Sequence, residues 1–218
     1  FLSGGLDSLI GAIDLVEIGK KPIFMSQTVK GDANTQREYA EKIRGEQNHF
    51  QWSHKIHTIE SEHSTRARSI VFFAFAAIAA SAISNLNGSK AEIYIPENGL
   101  ISLNIPLNSG RLGSFSTKTT HPVYIKGIQE IWDAVGINAK LISPYQFLTK
   151  GELLKRCKNK NLLLELAPIS TSCGKYARNG QQHCGRCVPC IVRRAAFLKA
   201  GIEDKTVKGY KYDNLTQA

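Results

Sequence analysis

The chain has 218 residues, 42% hydrophobic and 21% charged, which suits one globular domain with a developed core and excludes disordered or fibrous compositions. Its formal charge is +10, from 28 Lys and Arg against 18 Asp and Glu. Such a surplus favours anionic partners (nucleotides, nucleic acid, an acidic protein face) or serves solubility alone. The longest apolar run, Ile70 to Ala80, reads as too short for a membrane span, and no signal peptide is visible, so no membrane is expected and the cytoplasm is the expected compartment.

The chain opens Phe1-Leu2-Ser3-Gly4-Gly5-Leu6-Asp7-Ser8: two apolar residues, a glycine turn, then an apolar-periodic segment. This predicts the end of a buried strand, a tight turn and a helix N-terminus. Several strand residues are therefore expected upstream of Phe1. Adjacent glycines permit positive φ and clear side chains from an approaching anion, and a helix start behind them directs N–H groups at it. The loop reads as phosphate-binding, although the Lys-Ser/Thr of a Walker loop is absent. A plain Gly-Gly turn with an Asp and Ser cap is the bland alternative.

Helix is predicted from Ser8 to Ile18, stopped by Gly19, and strand from Pro22 to Val29. Asn34 or Thr35 caps a polar helix through Gln47. Lys55–Glu60 reads as a short strand. Ser64–Leu86 reads as a long apolar helix buried on most sides, and Glu92–Pro96 as another strand. Alternating strands and helices imply an α/β fold with a parallel sheet and helices on both faces. The stretch from Glu97 to Pro122 has no sustained period and reads as a long, functional loop. Helix resumes over Val123–Val135, strand over Ala139–Ser143, and Thr149 with Glu152 fits a capping box. Past Pro168 the composition turns to Cys, Gly, Ser and basic residues, and a last helix spans Ile191–Ala200. This divides the chain into a nucleotide-binding domain, 1–168, and a small C-terminal metal-binding segment, 169–218.

Four of five cysteines share one window: Cys173, Cys184, Cys187 and Cys190, spaced C-x10-C-x2-C-x2-C. Four soft sulfur ligands with no open position suit structural zinc, and Gly185 permits a sharp knuckle between the first pair. Disulfides and an iron–sulfur cluster are the competing explanations. Cys157 reads as a plain core or surface thiol. His183 reads as solvent-facing, or as a ligand should one cysteine not serve.

The opening SGGLDS resembles the pyrophosphate-binding loop of the N-type ATP pyrophosphatases. Combined with Ser172-Cys173, Cys184-Gly185-Arg186-Cys187-Val188-Pro189-Cys190, Arg193 and Phe197, it resembles the 7-cyano-7-deazaguanine synthase, or QueC, family. That resemblance implies a Rossmann-like (adenine nucleotide α-hydrolase-like) parallel sheet, a four-cysteine zinc site, and use of ATP and Mg2+ to activate the carboxylate of a 7-deazaguanine. Ser3, Gly4, Gly5, Leu6, Asp7 and Ser8 would cradle the departing pyrophosphate, with Ser3, Asp7 and Ser8 closest to catalysis. For Asp7 two tasks stand open: a share in Mg2+ or capping the helix. Arg68, or the nearby Arg66, would neutralise nucleotide phosphates, with a solvated helix start as the alternative. Glu97, Asn98 and Gly99 close a strand where ligands of open α/β sheets sit, and a carboxylate there matches the two donors of a deazaguanine edge.

The stretch Ser102–Pro122 lacks the Asp-x-Ser-Gly-Tyr-Pro-Asp pattern that reads the substrate in that family. Its Ser/Thr/Lys/His content, with Lys118, Thr120 and His121, could hold a phosphate, an anionic substrate or a macromolecule, or simply form turns. The departure resembles the diverged QueC-like proteins of bacterial antiphage systems, the Qat type among them. In these a deazaguanine is joined to a macromolecule, so a protein or nucleic-acid acceptor is one expectation. Alternatives are queuosine-type precursor synthesis, an RNA-modifying relative, and a non-catalytic zinc-stabilised binding module. Homodimerisation is left open.

Overall fold

The computed structural model describes residues 1–28, 31–53, 68–105 and 119–216. In chain order these form α1 (Leu6–Glu17), β1 (Phe24–Gln27), α2 (Ala33–Arg44), β2 (His49–Trp52), α3 (Arg68–Asn87), β3 (Ala91–Tyr94), α4 (Gly99–Leu103), α5 (Pro122–Ala134), β4 (Ala139–Ile142), α6 (Lys150–Arg156), α7 (Lys160–Leu166) and α8 (Val188–Ala200). The described strands pair two by two, β1 with β2 and β3 with β4, both in parallel. The architecture is α/β with small parallel sheets and helices on both sides, the class that the alternation predicts and consistent with a Rossmann-like domain. Two compact units divide the chain: Phe1–Ser53 with Leu148–Ala218, and His54–Phe147.

In the first unit, α1 is the hub. Every residue from Leu6 to Ile13 is buried, because α2, α6 and α7 all pack against it. The first residues run beside β1: the Leu2 N–H donates to the Met25 carbonyl at 2.8 Å, and the Ser26 hydroxyl donates to the Leu2 carbonyl at 2.5 Å. Helix α2 is polar by composition but turns Gln36, Tyr39, Ala40 and Ile43 inward, a single face at helical spacing. The capping box at α6 forms in both halves, Thr149 accepting from the Glu152 N–H and the Glu152 carboxylate from the Thr149 N–H.

A buried guanidinium ties the C-terminal part of this unit together. Arg193 on α8 is wholly excluded from solvent. Its Nε donates to Asp204 at 2.8 Å, and its Nη2 to the carbonyls of Ala167 at 3.1 Å and Lys205 at 3.0 Å. Nη1 donates to the Ser170 hydroxyl, and the Phe197 ring lies 4.9 Å beneath the charge. All three guanidinium nitrogens are therefore bonded, which is the condition for burying such a cation.

In the second unit, Phe73 of α3 meets Tyr124 and Trp132 of α5 edge-on, at 5.8 and 6.4 Å between ring centroids. Gln129 of α5 covers the edge of β4: its amide donates to the Ala139 carbonyl and its oxygen accepts from the Leu141 N–H, each at 2.9 Å. Helix α3 departs from expectation. It is 20 residues long, and by length and composition Ser69–Asn87 could cross a membrane, with only 22% of its apolar window buried. The expected burial on most sides and the reading of a run too short to span are both corrected. Ile70, Ile78 and Leu86 are exposed among the described residues.

Other boundaries move. The second parallel strand of the first unit is His49–Trp52, while the predicted strand at 55–60 lies outside the described residues, as does the expected helix start at 64–67. The aperiodic stretch contains a short helix, α4, and α7 follows α6 directly.

Removing the anionic partner of Arg193 leaves a buried charge uncompensated. Asp204→Ala is expected to destabilise the protein by about 3–5 kcal/mol in chemical denaturation; a loss below about 1 kcal/mol would show that the guanidinium is not held as described.

Candidate functional site

The opening turn is cross-braced by two serines. Ser8 Oγ receives the Ser3 N–H at 3.1 Å, and lies 2.9 and 3.0 Å from the carbonyls of Ser3 and Gly5. The two hydroxyls are 2.9 Å apart, and Ser3 Oγ accepts from the Gly5 N–H at 3.2 Å. The N-cap of α1 is Gly5, in extended conformation, and no side chain caps the helix. A helix start without a side-chain cap directs its first N–H groups outward, the arrangement that binds anions. Neither Gly4 nor Gly5 has positive φ, so the freedom that adjacent glycines permit is not used. Gly4 is required for space instead: a Cβ there would lie 2.5 Å from Thr171 Oγ1. The Thr171 N–H donates to the Gly4 carbonyl at 2.7 Å, and Tyr39, fully buried, reaches the same carbonyl at 3.5 Å.

Asp7 does not cap α1; that reading is corrected. Its carboxylate accepts from Lys150 Nζ at 2.5 Å, in a pair almost closed to solvent. Lys150 is the first residue of α6, and in the sequence it stands out only as part of a capping box. The contact joins positions 143 residues apart, and no local signal could reveal it. Arg68 is the first residue of α3; Arg66 and Lys118 lie outside the described residues.

The four cysteines converge. The sulfurs of Cys173, Cys184, Cys187 and Cys190 all lie within 4.8 Å of one another, with Cys184 and Cys190 at 3.9 Å and Cys173 and Cys187 at 3.8 Å. A tetrahedral ion with metal–sulfur bonds of about 2.3 Å needs sulfur–sulfur edges of roughly 3.8 Å, so the set fits zinc. All five cysteines are free thiols, which removes the disulfide alternative. Backbone N–H groups of Lys175 and Cys184 donate to Cys173 Sγ, and that of Cys187 to Cys184 Sγ. Cys187 is the N-cap of α8 and Cys190 sits in its first turn. Gly185 makes the knuckle at φ +84°, and a Cβ there would collide with the Tyr212 carbonyl.

His183 is buried, not solvent-facing. Its Nε2 accepts the Ser172 N–H at 3.2 Å, and Tyr176 and Tyr210 pack edge-on against its ring. Burial, with the nearby Arg193 charge, pulls its pKa down to about 4. Cys157 closes α6 as a buried thiol that burial pushes up to about 11, in keeping with a plain core role.

In the second unit, Asn98 is fully buried and N-caps α4, accepting from the N–H groups of Leu100 at 2.9 Å and Ile101 at 3.4 Å. Gly99 is the first residue of that helix, and Glu97, half-buried, precedes it. His121 N-caps α5 through Nδ1, which accepts the Val123 N–H at 3.3 Å. Thr120 beside it carries a buried hydroxyl without a hydrogen-bond partner among the described residues.

Residues 119–201 match the family model described as Queuosine biosynthesis protein QueC. The 7-cyano-7-deazaguanine synthase of Methanococcus maripaludis strain C5 is 41% identical over 69 residues, 31% of this chain and 30% of the relative. That of Methanocaldococcus jannaschii is 42% identical over 71 residues, with the same coverage. The Brucella anthropi synthase is 35% identical over 68 residues, 27% of its length. A segment of the chain therefore matches the QueC family model, and the chain spans under a third of the length of these curated relatives. That segment holds Lys150, all four clustered cysteines and Arg193.

The thiol cluster predicts one zinc ion per chain. Cys187→Ser should lose zinc in elemental analysis and lower the melting midpoint by on the order of 10 °C, as expected when metal binding is coupled to folding. Full zinc occupancy in that variant would contradict a four-thiolate site.

Proposed function

We propose that this chain belongs to an ATP-dependent carbon–nitrogen ligase that adenylates the carboxylate of a 7-deazaguanine, 7-carboxy-7-deazaguanine being the natural candidate. The observation that carries this reading is the opening turn, a helix start without a side-chain cap in the same unit as the four-cysteine segment that matches the QueC model. In the first step a carboxylate oxygen attacks the α-phosphorus of ATP, the bond to the bridging oxygen of the β-phosphate breaks, and pyrophosphate leaves. A nitrogen nucleophile then displaces AMP to give an amide, or a conjugate if the amine belongs to a macromolecule.

Charge develops on the departing pyrophosphate, so the useful groups are donors fixed before the reaction. The N–H groups of Leu6, Asp7 and Ser8 would face it, Ser3 and Ser8 would hold the turn's shape, and Gly4 and Gly5 would let the anion close in. Lys150 would supply positive charge beside them, with Asp7 fixing its ammonium. Asp7 pairs with Lys150, and a second carboxylate, Asp32, lies beside Gly4; magnesium would arrive on the ATP phosphates. Arg68 is the further cation proposed for the nucleotide. In the second unit, Glu97, Thr120 and His121, with Asn98 and Gly99 shaping the backbone, are proposed for the deazapurine, the buried Thr120 hydroxyl being the strongest support. Zinc would be structural. The stretch Ser102–Pro122, lacking the family's substrate-reading pattern, favours a conjugate over a free nitrile and fits a role in antiphage defence. We place the reaction in the cytoplasm, where ATP and reduced thiols coexist.

Incubation with ATP, Mg2+ and 7-carboxy-7-deazaguanine should release pyrophosphate. Lys150→Ala and Ser8→Ala should each lower turnover by about 10²-fold or more, the usual cost of losing a charge-stabilising group, with zinc content unchanged. ATP left intact by the wild-type protein would leave a nucleotide-binding module instead.

A further inference from the structure

Almost the whole positive surplus sits in the last third of the chain. Residues 148–218 carry 14 Lys and Arg against five Asp and Glu, whereas residues 1–147 carry 14 against 13. Part of this charge is held inside, Lys150 on Asp7 and Arg193 on Asp204. Much of the rest gathers where the C-terminal tail zips onto the Cys segment, the Lys211 and Tyr212 N–H groups donating to the carbonyls of His183 and Cys184.

The Arg186 guanidinium lies 4.1 Å over the Tyr212 ring, and Lys211 Nζ lies 5.6 Å from the centre of the same ring. Arg194 lies 4.8 Å over Tyr210 and donates to the Asp213 carbonyl at 2.6 Å. Lys208 donates to the Gly180 carbonyl at 2.7 Å, which brings the exposed turn carrying Lys175 and Arg178 alongside. The acidic residues do little to offset this. Asp204 is engaged by Arg193 and Tyr210, Glu203 by Lys205, and Asp213 lies 3.7 Å from Arg194.

We infer that this face of the Cys segment binds single-stranded nucleic acid. Closely spaced cations gain most from a ligand whose charges are equally dense, because each phosphate contact releases a condensed counterion. A guanidinium held over an aromatic ring, as Arg186 is over Tyr212, is pre-organised as a donor to phosphate oxygens. Tyr212, 41% exposed with Arg186 over one face, offers an aromatic ring against which a base can stack. An acidic protein segment would answer the charge but brings no planar group to that ring. The inference stands apart from the adenylation reading and is tested by binding alone.

Fluorescence anisotropy of the zinc-loaded chain with a labelled 20-nucleotide single-stranded RNA is the test. With about four phosphate contacts, log K should fall with log salt at a slope near −3, roughly 50-fold weaker at 200 mM than at 50 mM KCl. Arg178→Ala with Lys211→Ala should weaken binding about tenfold and flatten that slope by about 1.4. Lys20→Ala with Lys21→Ala, the same charge loss on exposed residues elsewhere in the unit, should change neither. Tyr212→Ala should weaken binding at unchanged slope. No binding at 50 mM salt, or equal losses in the two double variants, would overturn the assignment. Displacement of the RNA by polyglutamate at matched charge would overturn it in favour of an acidic protein partner.

Discussion

A guanidinium closed off from water is the constraint on which the first unit depends. Burying Arg193 costs several kcal/mol unless its nitrogens are all bonded and its charge is met. The fold meets that demand from three directions: Asp204 and the Lys205 carbonyl on the tail, Ser170 and the Ala167 carbonyl before the Cys segment, and Phe197 on its own helix. The tail cannot detach, nor the 167–170 turn shift, without stranding the charge. One residue beyond that turn, Thr171 grips the Gly4 carbonyl. The opening turn is thus held in place by the same network that orders the thiol cluster.

This coupling gives the thiol cluster a purpose remote from any chemistry of its own. Its four sulfurs organise the knuckle at Gly185, the knuckle receives the tail through Cys184 and Tyr212, and the tail carries Asp204 to Arg193. From there the chain of contacts runs through Ser170 and Thr171 to the opening turn. A metal at such a site would act by fixing backbone, and its loss would be felt at the far end as a loosened anion site. The Asp7–Lys150 pair is a second brace, joining the first turn of α1 to the start of α6.

What can be read in the sequence is whatever is encoded locally. The start of α1, the capping box of Thr149 and Glu152, and the cysteine spacing all depend on neighbours within a few residues, and all form. The parallel strand pairs follow from alternation that survives at β1, β3 and β4. The short helix after Asn98 is hidden because its cap and its first residue, Asn-Gly, look like turn chemistry. The burial of His183 depends on Tyr176 and Tyr210, one on each side in sequence and neither predictable as a partner. The same holds for Lys150, which is paired with an aspartate at the other end of the chain. The exposure of α3 escapes a reading of composition, because an apolar helix seeks cover whether or not its own unit supplies it.

Two candidate anion sites are thus proposed in one unit: the turn that opens α1, small and built from backbone amides, and the basic face of the Cys segment and tail, broad and built from Arg and Lys side chains. The central claim is that a diphosphate belongs to the first. Backbone-amide NMR of isotopically labelled protein titrated with inorganic pyrophosphate separates them directly. The account predicts that the amides of Leu6, Asp7 and Ser8 move first and furthest, saturating as a single site. Shifts confined to residues 175–212, with those three amides unmoved at saturation, would contradict it.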